Sequence, residues 1–277
     1  MSSIGRNLII TKEELTGQTV ITRSGRWQWL FILAISAILA TTEWVFAYKD
    51  VAYGIMLALF LTIGIYLTIS VTRLSQPITD SAESLALIPL YILFTSSLPW
   101  FFINQQYLLP AIYSIILALC LWHIYQKKYN FSELGFKKDK WLKYVLIGIA
   151  LSIPIGAMEY LILHPIPAFP TFEIRYLIRD LVYMLVFVAL AEELLFRGLL
   201  QRDLMKAFGW KRGIILTSLV FAAMHLTWRS IPELVFVFFA GLLLGYLYYK
   251  TKSLVAPIVM HGIGNTMLVA VMPYLFT

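Results

Sequence analysis

Charge is what this sequence has least of. Only 13% of its 277 residues are Asp, Glu, Lys or Arg, where a soluble globular domain carries about a quarter. Cysteine is nearly absent. Cys120 stands alone in an apolar segment, which excludes an intramolecular disulfide and any metal cluster built on cysteine, and leaves packing as its role. The alternation that an outer-membrane barrel needs is missing, because runs such as LFILAISAILA are apolar on every face. There is no GxSxG elbow, internal repeat or low-complexity segment. The start does not read as a cleavable signal either: polar residues up to Arg26 precede the first apolar run, which is expected to remain as an anchor. The formal charge is +7, yet the basic residues gather at the ends of apolar segments. They suit helix orientation and anionic membrane lipids. A nucleic-acid partner would need a basic, aromatic-studded soluble surface, and none is expected here.

What is abundant is apolar surface, at 60% of residues. Stretches of about 20 apolar residues recur, each long enough to cross ~30 Å of hydrocarbon as a helix. Lipid offers no partner for a bare backbone, so such spans must be helical. The fold class is all-α, a polytopic transmembrane helical bundle of eight or nine spans. Nine are read at 27–48, 51–72, 84–104, 107–125, 143–163, 177–200, 213–228, 232–249 and 253–274. With nine, eighteen of the 22 lysines and arginines fall on the N-terminal side, and only Lys49, Arg175, Arg179 and Arg229 oppose them. The positive-inside rule then predicts a cytoplasmic N-terminus in the plasma membrane and an outer C-terminus. Two regions are expected: an N-terminal membrane region, 1–128, with spans one to four and little chemistry, and a domain at 129–277. The linker QKKYNFSELGFKKDKW joins them.

An ionisable residue inside a membrane helix points to function unless it is paired or hydrated. AEELLFRG places Glu192, Glu193 and Arg197 near the cytoplasmic end of span six. Glu193 and Arg197 stand at i and i+4, the spacing of a helix ion pair, which leaves Glu192 free to take a proton. Neighbouring helical residues point about 100° apart, so the two glutamates are not expected to face one partner. The same three residues would also suit plain interfacial charges. Span seven adds His225 in FAAMH, and span nine adds His261 and Asn265 in HGIGN, on one helical face. At 1.5 Å per residue, Glu192, His225 and His261 lie roughly 12, 18 and 12 Å below the cytoplasmic face, so one shared site is geometrically open to them. A carboxylate beside a histidine can deprotonate a water, and a second histidine with an amide can stabilise an oxyanion. Together these groups suit acyl hydrolysis without a covalent intermediate. Glu43, Glu159 and Asp180 lie toward outer span ends within reach of water or headgroups. His164 reads as a loop residue and His123 as an interfacial one.

EExxxR (Glu192, Glu193, Arg197), FxxxH (Phe221, His225) and HxxxN (His261, Asn265), in this order on successive helices, resemble the CAAX protease and bacteriocin-processing family, also called the Abi family. That family includes the type II CAAX prenyl endopeptidase. ELGF at Glu133 to Phe136 and SLVAPIVMH before His261 agree, and the resemblance covers roughly 130–275. It implies an intramembrane endopeptidase in which Glu192 and His225 activate water and His261 and Asn265 form the oxyanion hole, with Glu193, Arg197 and Phe221 supporting them. The implied substrate is a membrane-associated or lipidated protein or peptide. No cofactor is expected. Two histidines and a glutamate are also a hydrolytic zinc set, with Glu192, His225 and His261 as ligands, but HExxH is absent and the resemblance favours a metal-free mechanism. A non-catalytic immunity or scaffold protein of the same family is the alternative. A proton-coupled transporter is a further one, although its polar chemistry would be expected in both halves.

Overall fold

The computed structural model describes residues 23–97, 102–137 and 139–276. Arg6, Lys12 and Lys138, three of the basic residues that set the orientation, lie outside these residues, as do 98–101 of the expected third span. Among the described residues nine helices run in order: α1 (Arg23–Tyr48), α2 (Val51–Val71), α3 (Gln76–Ser96), α4 (Leu108–Lys127), α5 (Trp141–Leu163), α6 (174–208), α7 (Trp210–Ala223), α8 (Ile231–Thr251) and α9 (Val255–Leu275). No strand occurs among the described residues. The starts and stops follow local chemistry. Asp50 caps α2 by accepting from the Tyr53 N–H, Ser230 caps α8 by accepting from the Glu233 N–H, and Gly209, at φ 81°, ends α6.

Seven of these helices, all but α6 and α7, are long and apolar enough to cross a membrane. Helix α6 is longer than a membrane needs, roughly 50 Å, but it is dense in charge and departs twice into π-helical turns, at Tyr183–Ala189 and Leu194–Gln201. Helix α7 has 14 residues, about 21 Å, short of the ~30 Å hydrocarbon. Its expected extent was 213–228. The helix stops at Ala223, and the chain continues through a 3₁₀ turn, Leu226–Trp228. Arg229 then donates from Nε to the Ala47 carbonyl of α1 at 2.8 Å.

Helix α3 also differs from its expected extent of 84–104, because it starts at Gln76. The polar residues that hydropathy reads as a loop are helical and face partners instead of lipid. Asp80 and Glu83 pair with Lys127 of α4, and the Ser84 hydroxyl donates to Asp203 of α6 at 2.8 Å. Arg202 completes this cluster by pairing with Asp203 at 2.9 Å and lying over the Tyr129 ring. His123, expected at an interface, is buried edge-on to Tyr129. Glu43, expected within reach of water, is buried too.

Apolar and polar residues have exchanged places relative to a soluble protein. Leu30, Phe60, Leu146 and Phe239 are exposed, whereas Glu193, Arg197, Gln201, Asp203 and Glu233 are fully buried. With lipid as solvent, this is the arrangement that leaves no charge facing hydrocarbon. The protein is an integral, multi-pass membrane bundle. One buried cluster runs through it from Ile32, Leu85 and Cys120 to Leu194, Phe221 and Leu254, so helices from both sides of the linker share a core. Helices α5 and α9 meet closely over glycine. A Cβ on Gly156 would sit 2.6 Å from the Gly264 carbonyl oxygen, so this contact tolerates no side chain. That approach sets α9, and with it His261 and Asn265, against the bundle interior.

Candidate active site

Helices α4 to α9 deliver side chains to one cavity of about 220 Å³, room for several waters at ~30 Å³ each. Glu192 comes from the short α-helical stretch Leu190–Glu193, between the two π-helical turns of α6. Such turns offset the hydrogen-bond ladder and recur at functional sites. His225 stands just past the end of α7, where its backbone has left the helix. Its Nδ1 lies 2.9 Å from the Phe221 carbonyl, which can only accept, so Nδ1 carries the hydrogen and the neutral ring turns an unprotonated Nε2 to other partners. His261 and Asn265 enter from α9, one turn apart, and both line the cavity.

Beside the cavity lies the ion pair that the i, i+4 spacing implies. Arg197 donates to Glu193 Oε1 at 2.9 Å, with both side chains fully buried. Arg197 also reaches the Gly241 carbonyl and lies over the Phe221 ring, 4.4 Å from its centroid. Phe221 in turn packs against the rings of both His225 and His261. Phe221 thus touches both histidine rings and covers the guanidinium.

The two glutamates meet one partner, contrary to the reading from helical angles. His261 Nδ1 is 2.8 Å from Glu193 Oε1, and its Nε2 is 3.7 Å from Glu192 Oε2. The 100° rule fixes where Cβ atoms point. It does not fix a carboxyl at the end of two further methylenes, and an imidazole presents nitrogens on two edges. Glu192 is also not unpartnered, because the Tyr113 hydroxyl of α4 donates to its Oε1 at 2.9 Å.

Residues 175–267 match the family model described as "Rce1-like: Type II CAAX prenyl endopeptidase Rce1-like". That stretch, 93 of the 277 residues, is similar to the Rce1-like family. The match spans Glu192 through Asn265 and so includes all three motifs. Comparisons with curated proteins and with solved structures returned no match.

Around the Rce1-like motifs the structure adds groups that the sequence reading set aside. Glu159 of α5 lines the cavity instead of facing headgroups. Among the described residues neither oxygen of Glu233, fully buried on α8, has a hydrogen-bond partner. Both are acids within spans and thus carried a legible signal. Tyr113 carried none, being one of sixteen tyrosines among apolar runs.

The zinc alternative meets a geometric obstacle. Among the described residues no three His, Cys, Asp or Glu side chains converge to hold a metal ion. In the set Glu192, His225 and His261, each ring is held at Nδ1, one by a carbonyl and one by Glu193, which leaves only its Nε2 to meet a metal. The residues do not fit a zinc site as arranged, and no step below runs through a metal.

Proposed function

We propose that this protein hydrolyses a peptide bond of a membrane-associated or lipidated protein or peptide within the bilayer, with Glu192 and His225 activating water. The observation that carries this reading is the convergence of Glu192, His225, His261 and Asn265, all within the Rce1-like match, on one cavity. Water is held between Glu192 Oε2 and His225 Nε2. Glu192 takes its proton, and the hydroxide attacks the scissile carbonyl carbon. The oxyanion accepts from the Asn265 amide and from His261 Nε2–H. Because His261 Nδ1 already donates to Glu193, a hydrogen on Nε2 makes the ring an imidazolium. Its charge, with that of Arg197, balances the carboxylates of Glu192 and Glu193. Collapse of the tetrahedral intermediate breaks the C–N bond as Glu192 returns the proton to the leaving amine.

The test is cleavage of a quenched farnesylated CAAX peptide, and of neutral transmembrane peptides, by protein reconstituted in vesicles. Glu192→Gln keeps shape but cannot accept the proton. General-base catalysis is worth about 10²–10⁴-fold, and the rate should fall that far. Activity should also survive exhaustive chelation. Loss on chelation with recovery on added zinc would make Glu192, His225 and His261 ligands instead. Glu192→Gln cleaving as fast as wild type would remove the assignment, and a wild type that cleaves nothing would favour the non-catalytic alternative. The same Glu192→Gln variant, used as a trap for membrane peptides, would identify the substrate.

The division of basic residues supports a cytoplasmic N-terminus in the plasma membrane. A reporter inserted after Lys140 should then lie inside and one fused after Thr277 outside. Both in one compartment would overturn the nine-span topology.

A further inference from the structure

The two oxygens of Glu192 are in different situations. Oε1 accepts the Tyr113 hydroxyl at 2.9 Å, while Oε2 is buried without a hydrogen-bond donor and faces His261 Nε2 at 3.7 Å. Tyr113 lies on the inward face of α4, in register with Ile116, Cys120 and Ile124, so packing of the whole helix fixes where its hydroxyl points. It lines the same cavity as Glu192 but lies 62 residues before the start of the Rce1-like match, in the membrane region of spans one to four. We infer that Tyr113 is a positioning residue for Glu192: its hydroxyl pins Oε1, leaves Oε2 as the oxygen that takes the proton, and makes α4 part of the active site.

This inference rests on the proposed role of Glu192. A glutamate side chain has three rotatable torsions, and nothing else in the cavity hydrogen-bonds Oε1 among the described residues. Without the phenol, the carboxylate would sample orientations that turn Oε2 away from the water, so the bound substrate would wait for a productive one. That pattern lowers kcat and leaves KM alone, because Tyr113 acts on the base instead of on substrate binding. It also explains what the N-terminal helices contribute to the chemistry. The segment 129–277 holds all three motifs, yet its base is aimed by a residue outside it.

The test is Tyr113→Phe, which removes one oxygen from a half-buried ring. In the vesicle assay with the farnesylated CAAX peptide, kcat should fall about 10- to 100-fold, the scale of losing a hydrogen bond to a charged group or of misplacing a catalytic group, with KM within about threefold. Tyr248→Phe, which deletes a buried phenol bonded to the Leu134 carbonyl and absent from the cavity lining, should leave kcat unchanged. Installing 4-aminophenylalanine at 113, which restores an N–H donor on the same ring, should recover most of the loss. A readout without substrate separates this inference from the hydrolytic reading. The infrared carboxylate band that disappears in Glu192→Gln should shift in Tyr113→Phe and stay in place in Tyr248→Phe. An unshifted band, or a Tyr113→Phe rate equal to wild type, would overturn the positioning role. A shifted band in a protein that cleaves nothing would keep the Tyr113 contact and sink the proposed hydrolysis instead.

Discussion

Six hydroxyl side chains of α1 and α2 are satisfied locally, whereas α6 satisfies Glu192, Gln201 and Asp203 at a distance. In the first pair, Ser36, Thr41, Thr42, Thr62, Thr68 and Ser70 each donate to the carbonyl four residues earlier in the same helix. Such groups need no neighbour, and the helix can face lipid on almost any side. In α6, Glu192 accepts from α4, Glu193 meets α9, Gln201 donates to the Gly245 carbonyl of α8, and Asp203 accepts from α3. Each of these groups depends on another helix being in place. The difference separates anchoring from function. A helix that closes its own hydrogen bonds can only span, and one that leaves them open collects partners from the rest of the chain.

The sharpest way to break this contrast is to compare the two adjacent glutamates. Glu192→Gln should lose activity by the factor given above while folding and inserting normally. Glu193→Gln should fail differently, since it leaves Arg197, which is fully buried, without its counter-charge and puts a neutral amide where a carboxylate meets His261 Nδ1. Breaking a buried pair costs about 3–5 kcal/mol. That loss should appear as low abundance and early unfolding in detergent, and a Glu193→Arg, Arg197→Glu exchange should recover part of it. A stable, inactive Glu193→Gln beside an active Glu192→Gln would show that the two roles are reversed.

What was legible in the sequence follows the same divide between local and distant. The long apolar helices and the Glu193–Arg197 pair depend on spacing along one helix, and the chain states spacing directly. The three motifs identified the helices that share a cavity. Facing was not legible. Hydropathy placed Glu159 toward a span end but could not show that it lines the cavity, and it left Asp80 and Glu83 outside the third span, since their partner, Lys127, is on another helix. The π-helical turns flanking Glu192 leave no mark in the residue pattern. Tyr113 is the clearest case, because a tyrosine in an apolar run looks the same whether it packs or aims a carboxylate.

A smaller effect tests the distant class without touching the site. Gln201 is fully buried, and its amide donates to the Gly245 carbonyl at 2.9 Å. Gln201→Leu keeps similar volume but breaks this link between α6 and α8. A side-chain hydrogen bond between membrane helices is worth about 0.6 kcal/mol on average and up to ~1.7. Unfolding in detergent should register a loss within that range, with activity per folded molecule unchanged. A collapse in activity at wild-type stability would mean that this link transmits to the cavity.

The smallest effect belongs to α1, where the local class makes its firmest claim. Thr41 is exposed, and its hydroxyl donates to the Ala37 carbonyl at 2.9 Å. That carbonyl is already the acceptor of the backbone ladder, so the hydroxyl adds a second bond to a satisfied group. Thr41→Val has nearly the same shape, leaves no buried polar atom behind and presents a methyl to lipid. Surface changes of this kind stay within about 0.5 kcal/mol, and neither the unfolding midpoint nor the cleavage rate should move measurably. A loss above ~1 kcal/mol would mean that the hydroxyl has a partner beyond its own helix. The face of α1 that carries Thr41 would then be a packing surface, and the separation between the anchoring pair and α6 would fail where it is drawn most plainly.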